Sequence, residues 1–263
     1  MLDSLSEPKT LTCTALSGIP LINSGDDLVH ILLAALSVSR IALQDGDVLI
    51  LAQKIVSKAE GRLVNLSEVE PSHKALLLSS ETGKDPRLVE LILNESNHVL
   101  RKRQGLIVVE HKLGFVCANA GIDHSNVQGE WGDHDDWVLL LPKNPDASAD
   151  TLRIALEEAS GASVGVLIID SHGRAWRMGT VGIAIGIAGV PGLADLRGEE
   201  DLFGFELQVT EVGVADELAA SASLIMGQVA EGTPVVHARG LPYSLRESSL
   251  AELLRANEKD LFR

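Results

Sequence analysis

The order of apolar and polar positions along the chain predicts short strands that alternate with amphipathic helices. Leu11–Leu16 and Val48–Ala52 are runs of strand length, and the second contains no polar side chain, which is typical of a buried strand. Between them, apolar residues recur at helical spacing from Leu28 to Leu36, and Ser24 is the predicted N-cap. This part of the chain therefore predicts a strand, a helix and a buried strand.

The next part of the chain predicts two helices and a hairpin. Pro71–Arg103 has helical spacing in two pieces, and Asp85 before a proline marks the start of the second piece. Leu100 is interpreted as part of the buried stripe of that second helix. Gly105–His111 and Gly114–Ala118 then have the composition of two strands joined by a turn.

Further helices and strands are predicted in the C-terminal half. They are a helix over Asp150–Ser160, strands over Ser163–Ile169, Thr180–Val190 and Glu206–Val212, a helix over Val214–Met226 and a strand over Pro234–Ala238. Because these elements follow no regular βαβ period, a mixed α/β or α+β fold is favoured over a doubly wound sheet. Since no linker is evident, residues 1–263 are interpreted as a single domain with room for two structural subdomains.

Composition narrows the classes of function. Hydrophobic residues make up 45% and charged residues 22% of the 263 positions, which is typical of a globular protein. The formal net charge of −15 disfavours nucleic-acid and anionic-membrane partners, because both require a positive surface. No apolar run approaches 18 residues, and Cys13 and Cys117 are isolated, so a cytoplasmic protein without a membrane span or a disulfide framework is expected.

The familiar nucleotide and hydrolase signatures are absent from the sequence. There is no P-loop pattern, no Gly-x-Gly core of a Rossmann fingerprint and no Gly-x-Ser-x-Gly elbow. Asp170-Ser171-His172 contains the residue types of a catalytic triad, but sequence neighbours rarely face one another as a triad requires. Rossmann and P-loop folds are therefore disfavoured, and no catalytic base is identified.

Oxygen-bearing side chains follow two of the predicted apolar strands. Asp123 and Asn126 come shortly after the hairpin, and Asp170 and Ser171 come at the end of the apolar run 164–169. Carboxylate and hydroxyl oxygens suit a hard ion such as Mg²⁺ or Mn²⁺ better than zinc. The sequence therefore makes a divalent-cation site one hypothesis for these residues.

The same polar residues also have structural interpretations. Asp, Asn and Ser at strand ends commonly cap turns, and Lys54 and Lys58 are by default solvated charges. The glycines within Thr180–Val190 serve either close packing or contact with a ligand. The acidic stretch 129–136 is predicted to be an exposed, solvated excursion.

Several short motifs occur along the chain in one order. They are GIPL at 18–21, VSKAEGR at 56–62, NAGIDHSNV at 119–127, DSHGR at 170–174, the glycine-rich 179–190, DLFG at 201–204 and LIMGQ at 224–228. Together they resemble the coenzyme F420-0:L-glutamate ligases, the γ-glutamyl ligases of deazaflavin biosynthesis. Motifs in a shared order are far more specific than any single one.

The resemblance implies a guanine-nucleotide site and two divalent-metal sites. The implied nucleotide contacts are Ile19, Pro20, Leu21, Ile22, Gln53, Lys54, Lys58, Asn126, Met226 and Gly227, with Gln53 standing where some relatives have a smaller hydroxyl residue. Asp123 and Asp170 match the ligands of one Mg²⁺ or Mn²⁺ ion. Ser171 and Gln228 match positions at a second ion, with glutamine where others have glutamate, and K⁺ is a further ion that the resemblance allows.

The resemblance also implies a reaction and partners. In family enzymes GTP activates the carboxylate of the deazaflavin F420-0 as an acyl phosphate, which the amine of L-glutamate attacks, and related enzymes add a second, γ-linked glutamate. Family members have an unusual two-part fold and form homodimers. Some carry a C-terminal reductase-like domain, which is not expected here because the sequence ends at Arg263.

Three alternatives stay open at the level of sequence. An amide ligase of the same family could act on another carboxylate acceptor. A metal-dependent phosphohydrolase would use the same oxygen ligands but would release phosphate without glutamate. A non-catalytic binding module would need neither the metal ligands nor glutamate. The number of glutamates added, the preference for GTP over ATP and the acceptor itself are not encoded in any recognisable motif.

Overall fold

A mixed five-stranded sheet lies at the centre of the computed structural model, which describes residues 8–129 and 131–260. The strands are β1 (Thr12–Ala15), β2 (Val48–Ala52), β3 (Leu63–Asn65), β4 (Ser96–Arg103), β5 (Leu106–His111), β6 (Val116–Ala118), β7 (Trp137–Leu139), β8 (Gly165–Arg174), β9 (Arg177–Ala188), β10 (Ala194–Asp195), β11 (Glu211–Val212) and β12 (Val235–Arg239). The central sheet has the order β1-β12-β2-β8-β9, and β2 and β8 are its parallel pair. This topology confirms the predicted mixed α/β class.

Helices cover both faces of the central sheet. They are α1 (Leu28–Val38), α2 (Gln53–Ala59), α3 (His73–Thr82), α4 (Pro86–Asn94), α5 (Pro145–Ser160) and α6 (Val214–Met226). Leu49 and Leu51 of β2 pack into the core that α1 and α5 complete, whereas Val48 and Ile50 pack into the core that α6 completes. Burial on both faces explains why β2 is an uninterrupted apolar run, as the sequence predicted.

A smaller layer contains α3, α4 and two further sheets. Strands β4, β5 and β6 form an antiparallel sheet, and β3 pairs with β7. The predicted hairpin is confirmed as β5 and β6. The prediction that helix continues to Arg103 is wrong, because Ser96–Arg103 is β4 and takes its backbone hydrogen bonds from β5. Leu100 therefore lies in a strand, outside the buried stripe of α4.

The longest hairpin of the described residues changes the interpretation of the segment after the apolar run 164–169. The sequence predicted that the chain leaves the strand at Asp170. Instead β8 continues to Arg174 and pairs with β9 through Asp170↔Ile183 and Gly173↔Thr180. The apolar pattern ends because the hairpin extends beyond the core, although its backbone pairing continues.

Other predicted boundaries are shifted by local capping. The N-cap of α1 is Asp27, whose Oδ1 accepts a hydrogen bond of 3.1 Å from the His30 amide, and Ser24 is not the cap. Helix α5 begins earlier than predicted, since Asn144 caps it before a proline at its first turn. The predicted strand over Glu206–Val212 is wrong except for β11 at its end. The bounds predicted for β2 and α6 are confirmed.

The acidic stretch 129–136 is largely exposed where it is described, and Glu130 lies outside the described residues. Asp136 is partly buried and forms an ion pair of 3.2 Å with Arg87. Trp137 is buried and donates through Nε1 to the Trp131 carbonyl at 2.7 Å. In the described ranges, no helix is long and apolar enough to cross a membrane.

Candidate active site

A cavity of about 1940 Å³ opens where the parallel strands β2 and β8 end. Ligands of open α/β sheets commonly bind beyond the carboxyl ends of their parallel strands. All the candidate residues named from the sequence line this cavity: Ile19, Pro20, Leu21, Ile22, Gln53, Lys54, Lys58, Asn126, Met226 and Gly227, together with Asp123, Asp170, Ser171 and Gln228. The fold thus brings together segments that are more than 200 residues apart in sequence.

The Asp123 carboxylate is held by side chains of α2, which follows β2 directly. Gln53 donates from Nε2 to Asp123 Oδ2 at 2.6 Å, and Lys54 Nζ lies 2.9 Å from the same oxygen. Ser57, one helical turn later, donates to Gln53 Oε1 at 2.8 Å. Gln53 is 1% exposed, and both ends of its amide group are hydrogen-bonded, so it holds the Asp123 carboxylate in one orientation. Its observed contacts are therefore with Asp123 and Ser57.

The Asp170 carboxylate is supported in a similar way from its own strand. Asp170 and His172 lie two positions apart on β8 and thus on one face, and His172 Nε2 lies 2.9 Å from Asp170 Oδ2. The His172 ring meets the edge of Phe115, which stacks on His111 at a centroid distance of 5.3 Å. His172 is 8% exposed, so this packing fixes the side of Asp170 that faces the protein.

The two carboxylates influence each other electrostatically. Burial raises the pKa of Asp123, the Lys54 ammonium opposes that rise, and the charge of Asp170 raises the pKa further, with a net upward shift. Because the Asp170 charge disfavours the charged form of Asp123, a cation between the two carboxylates would be stabilising. The side chains of Asp123 and Asp170 are 25% and 12% exposed, so each still reaches the cavity.

Ser171 and Gln228 form a second polar group on the other face of β8. Ser171 Oγ donates to Gln228 Oε1 at 2.9 Å, and Gln228 Nε2 donates to Ser223 Oγ of α6 at 3.1 Å. Gly182, opposite Ser171 on β9, allows this approach because a Cβ there would lie 2.5 Å from the Ser223 Cβ. The glycine-rich strand therefore serves close helix packing at this position.

Lys58 and Asn126 link three of the segments expected to contact the nucleotide. Lys58 Nζ donates to the Asn126 carbonyl at 2.8 Å, and Asn126 Nδ2 donates to the Val229 carbonyl at 3.0 Å. Asn126 adopts a φ of 56°, a left-handed conformation that asparagine tolerates better than most residues. Burial lowers the pKa of Lys58, and the Lys54 charge lowers it further. The Lys58 ammonium would therefore be stabilised by a nearby anion.

The loop after α6 is closed by its own hydrogen bonds. Gly227 begins it with a φ of 75°, Thr233 Oγ1 donates to the Met226 carbonyl at 3.0 Å, and the Val229 amide donates to Glu231 Oε2 at 2.8 Å. Met226 is buried in the core, whereas residues 228–232 are exposed. The loop therefore presents polar backbone to the cavity from a fixed base.

The donor set fits a hard divalent cation. Asp123 and Asp170 supply carboxylate oxygens, and Ser171 and Gln228 supply neutral oxygens. Within residues 8–129 and 131–260, no group of three or more His, Cys, Asp or Glu side chains forms a metal-binding cluster. Mg²⁺ commonly binds one or two carboxylates and completes its shell with water and substrate phosphates. These residues thus suit a metal shared with a bound polyphosphate.

Comparison with known proteins places this chain in a family. The family described as F420-0:Gamma-glutamyl ligase matches residues 18–240. Coenzyme F420:L-glutamate ligase of Methanothermobacter thermautotrophicus is 46% identical over 255 residues, covering 96% of this chain and 99% of the relative. The chain belongs to the F420-0:γ-glutamyl ligase family.

Two further relatives of the same name support this family membership. The protein of Methanococcus maripaludis is 46% identical over 245 residues, covering 93% of this chain and 94% of the relative. That of Archaeoglobus fulgidus is 45% identical over 246 residues, covering 94% of each chain. The matched region 18–240 contains every candidate residue that lines the cavity.

Sequence reasoning missed several side chains of the site in this family member. Ser57 and Ser223 hold Gln53 and Gln228, and His172 holds Asp170. The period of two along a strand could have indicated His172, because it places residues 170 and 172 on one face. The helical period could likewise have indicated Ser57, which lies one turn after Gln53 in α2. Ser223 and Gln228 are five residues apart, and their contact depends on how the chain turns after α6.

Proposed function

We propose that this protein is a GTP-dependent ligase that joins L-glutamate to coenzyme F420-0. The observation that carries the proposal is the convergence of Asp123, Asp170, Lys54 and Lys58 on one cavity in a chain with a net charge of −15. Family membership and the names of the relatives support F420-0 as the acceptor and L-glutamate as the amino acid that is added. Related enzymes also add a second glutamate, which this proposal allows.

The proposed nucleotide site combines cations with fixed backbone. The ammonium groups of Lys54 and Lys58 lie beside the loop that contains Asn126, where they can neutralise phosphate oxygens. Residues 19–22 and the loop from Met226 to Thr233 line the same cavity and supply its walls. GTP is thereby proposed to lie across α2, the Asn126 loop and the loop after α6.

The proposed metal sites use the carboxylates and the neutral oxygens separately. Asp123 and Asp170 would hold one Mg²⁺ or Mn²⁺ ion, and Ser171 with Gln228 would contribute to a second. When bound, such ions neutralise the phosphate charge that develops during phosphoryl transfer. Gln53 and His172 keep the carboxylates of Asp123 and Asp170 in place for this purpose.

The proposed reaction has two steps. The carboxylate oxygen of F420-0 attacks the γ-phosphorus of GTP, the bond between that phosphorus and the bridging oxygen breaks, and GDP leaves. The amine of L-glutamate then attacks the acyl carbon, the bond from that carbon to the phosphate oxygen breaks, and the nitrogen loses a proton. The products are an amide, GDP and phosphate. Lys54 and Lys58 stabilise negative charge on the phosphates throughout.

Binding and product release test the proposal together. GTP with Mn²⁺ is expected to raise the melting temperature, because ligands that bind only the folded state stabilise it. GDP release should require both L-glutamate and F420-0. Release of phosphate without glutamate would instead support a phosphohydrolase, and nucleotide binding without response to F420-0 would indicate another acceptor. Absence of any metal-dependent nucleotide binding would contradict the proposal.

We also propose that the protein acts as a homodimer. Large apolar side chains are unusually exposed at the β8–β9 hairpin tip and in the segment before α6: Trp176 at 88%, Met178 at 96%, Leu202 at 97% and Phe203 at 94%. So many large apolar side chains open to water are unusual for a monomeric protein. A second copy of the chain is the proposed partner for this surface.

A further inference from the structure

Two aspartates attach helices to the outer edge of β9, which is an edge strand of the central sheet. Asp216, in the first turn of α6, accepts a hydrogen bond of 2.9 Å from the Ala184 amide through Oδ1. Asp146, in the first turn of α5, accepts one of 2.8 Å from the Ile187 amide in the same way. Edge amides that a helix covers need such acceptors, because burial of an amide without a partner is costly. Each aspartate therefore fixes one helix to one position of β9.

A glycine of β9 lies beside each of these contacts and brings the helix close to the strand. A Cβ at Gly182 would lie 2.7 Å from the Ala219 carbonyl oxygen of α6, and one at Gly186 would lie 2.6 Å from Pro145 of α5. Each helix therefore meets β9 at two points, one glycine and one backbone amide. Two contacts along one strand restrict the sliding of a helix that a single contact would allow.

The two aspartates lie on opposite sides of an irregularity in the sheet. The pairing of β9 with β8 shifts by one residue between Gly186 and Ala184. Because such a bulge disrupts the ladder locally, the part of β9 toward the cavity gains from an anchor of its own. Asp216 binds on the cavity side of the bulge, two residues from Gly182, which is the partner of Ser171 on β8.

Helix α6 also holds one side of the second polar group in the cavity. Ser223, two turns after Asp216, accepts a hydrogen bond of 3.1 Å from Gln228 Nε2, and Gln228 Oε1 accepts one of 2.9 Å from Ser171 Oγ. The separation of α6 and β8 thus decides whether the Gln228 oxygen meets Ser171. Of the residues that the structure describes, none in α5 lines the cavity.

We propose that Asp216 is a positioning residue for the second ion, because it fixes α6 on β9 where Gln228 and Ser171 share their hydrogen bond. This inference rests on the proposed function, in which these two oxygens contribute to that ion. Asp216 does not itself line the cavity. Its carboxylate acts on the ion through the position of α6.

Titration with Mn²⁺ in the presence of GDP tests this role without turnover. Electron paramagnetic resonance of free Mn²⁺ gives the number and the affinity of the ions bound per chain, and the wild type should bind two. Asp216→Ala should weaken the second ion about tenfold or more and leave the first within about twofold, since loss of a supporting contact typically costs about 10- to 100-fold in metal affinity. Asp216→Asn should bind both ions as the wild type does, because an amide oxygen can accept the hydrogen bond from Ala184.

Asp146→Ala is the matched control. It removes the same kind of contact from β9, together with hydrogen bonds of 3.1 and 3.2 Å from the Leu250 amide, but it loosens α5 instead of α6. Both alanine variants should lower the melting temperature by about 2–4 °C or more, yet only Asp216→Ala should lose affinity for the second ion. Asp216→Asn should melt no lower than the wild type, because burial raises the pKa of Asp216 and the amide carries no charge to bury.

The outcomes separate the role of Asp216 from the proposed second ion. Two ions in the wild type, with equal affinity for the second ion in Asp216→Ala and Asp146→Ala, would overturn the role of Asp216 alone. An equal loss of both ions in Asp216→Ala would show a general disturbance and would also overturn it. If Asp216→Ala does not fold, Asp216→Glu, which moves the carboxylate by one methylene, should weaken the second ion in its place. A wild type that binds a single Mn²⁺ with GDP would overturn the second ion of the proposed function.

Discussion

Gln53 Nε2 lies 2.6 Å from Asp123 Oδ2, and its other amide atom accepts a hydrogen bond of 2.8 Å from Ser57. Gln53 is thus held in one orientation by a buried serine on the next turn of α2. The Nε2 amide group of Gln53 faces Asp123, because Gln53 Oε1 already accepts the hydrogen bond from Ser57. Asp123 owes its position in the cavity to an interaction 70 residues away in sequence.

Removal of the Gln53 side chain should weaken metal binding. Gln53→Ala frees Asp123 from its anchor, and loss of such a supporting hydrogen bond typically costs about 10- to 100-fold in metal affinity. Titration with Mn²⁺ followed by electron paramagnetic resonance measures the change directly, without turnover. Gln104→Ala, at the exposed β4–β5 turn, is the matched control and should bind Mn²⁺ as the wild type does. An unchanged affinity in Gln53→Ala would show that Asp123 needs no support.

The stability of the fold should fall on mild acidification because of His111. Burial, with the charges of Arg62, His172 and Lys112, lowers the pKa of His111 from 6.5 to about 4. The unfolded chain therefore binds a proton below pH 6.5 that the folded chain does not bind, and stability is lost progressively between about pH 6.5 and pH 4. The shift corresponds to roughly 3 kcal/mol at the acid limit.

Urea unfolding at several pH values tests the His111 prediction. In the wild type the unfolding free energy should decrease from pH 7 toward pH 4, and in His111→Gln this dependence should be shallower. Asp123 has the opposite effect on the pH dependence of stability. Its raised carboxyl pKa destabilises the fold at neutral pH, and this penalty disappears on acidification. Equal slopes in the wild type and His111→Gln would contradict the role of His111.

Two glycines of the β8–β9 hairpin should respond differently to substitution by alanine. In Gly182→Ala the new Cβ would lie 2.5 Å from the Ser223 Cβ and 2.7 Å from the Ala219 carbonyl of α6. Such overpacking costs about 1–3 kcal/mol and would displace the helix that positions Gln228. In Gly173→Ala no atom lies within 4 Å of the new Cβ, so thermal unfolding should be nearly unchanged. Equal melting temperatures for the two variants would refute this packing argument.

The proposed homodimer predicts a measurable mass and a sensitive surface. Light scattering after size-exclusion chromatography should give about twice the chain mass of 28.0 kDa. Phe203→Ser should shift the population toward monomer, because it removes apolar area from the exposed surface before α6. Leu77→Ser, which changes an exposed apolar residue on α3, is the control. A monomer at all concentrations in the wild type would contradict the proposal.

The fold class and the strongest elements could be predicted from the sequence. Val48–Ala52 and Val214–Met226 have patterns that only one kind of element explains, and their bounds are confirmed. The segment Ser96–Arg103 was misassigned because its strand depends on pairing with β5, which local spacing does not encode. The extension of β8 through Asp170 was missed for the same reason, since a hairpin beyond the core carries no apolar signal.

The residues of the candidate site were predicted from the order of the motifs more than from the chemistry of single side chains. Asp123 and Asp170 taken singly are indistinguishable from turn residues, and their order with other motifs singled them out. The role of Gln53 toward Asp123 required coordinates, because a hydrogen bond across 70 residues has no trace in local sequence.

We propose above all that Asp123 and Asp170 hold the cation that lets this chain use GTP to form an amide bond. One measurement tests it most directly: the product mass after incubation of F420-0, L-glutamate, GTP and Mn²⁺ with the wild type, Asp170→Asn and the exposed-loop control Asp133→Asn. The wild type and the control should give acceptor mass plus one or more glutamyl residues, and Asp170→Asn should give essentially none while remaining folded. Glutamylated product from Asp170→Asn at the wild-type rate, or none from the wild type, would contradict the account.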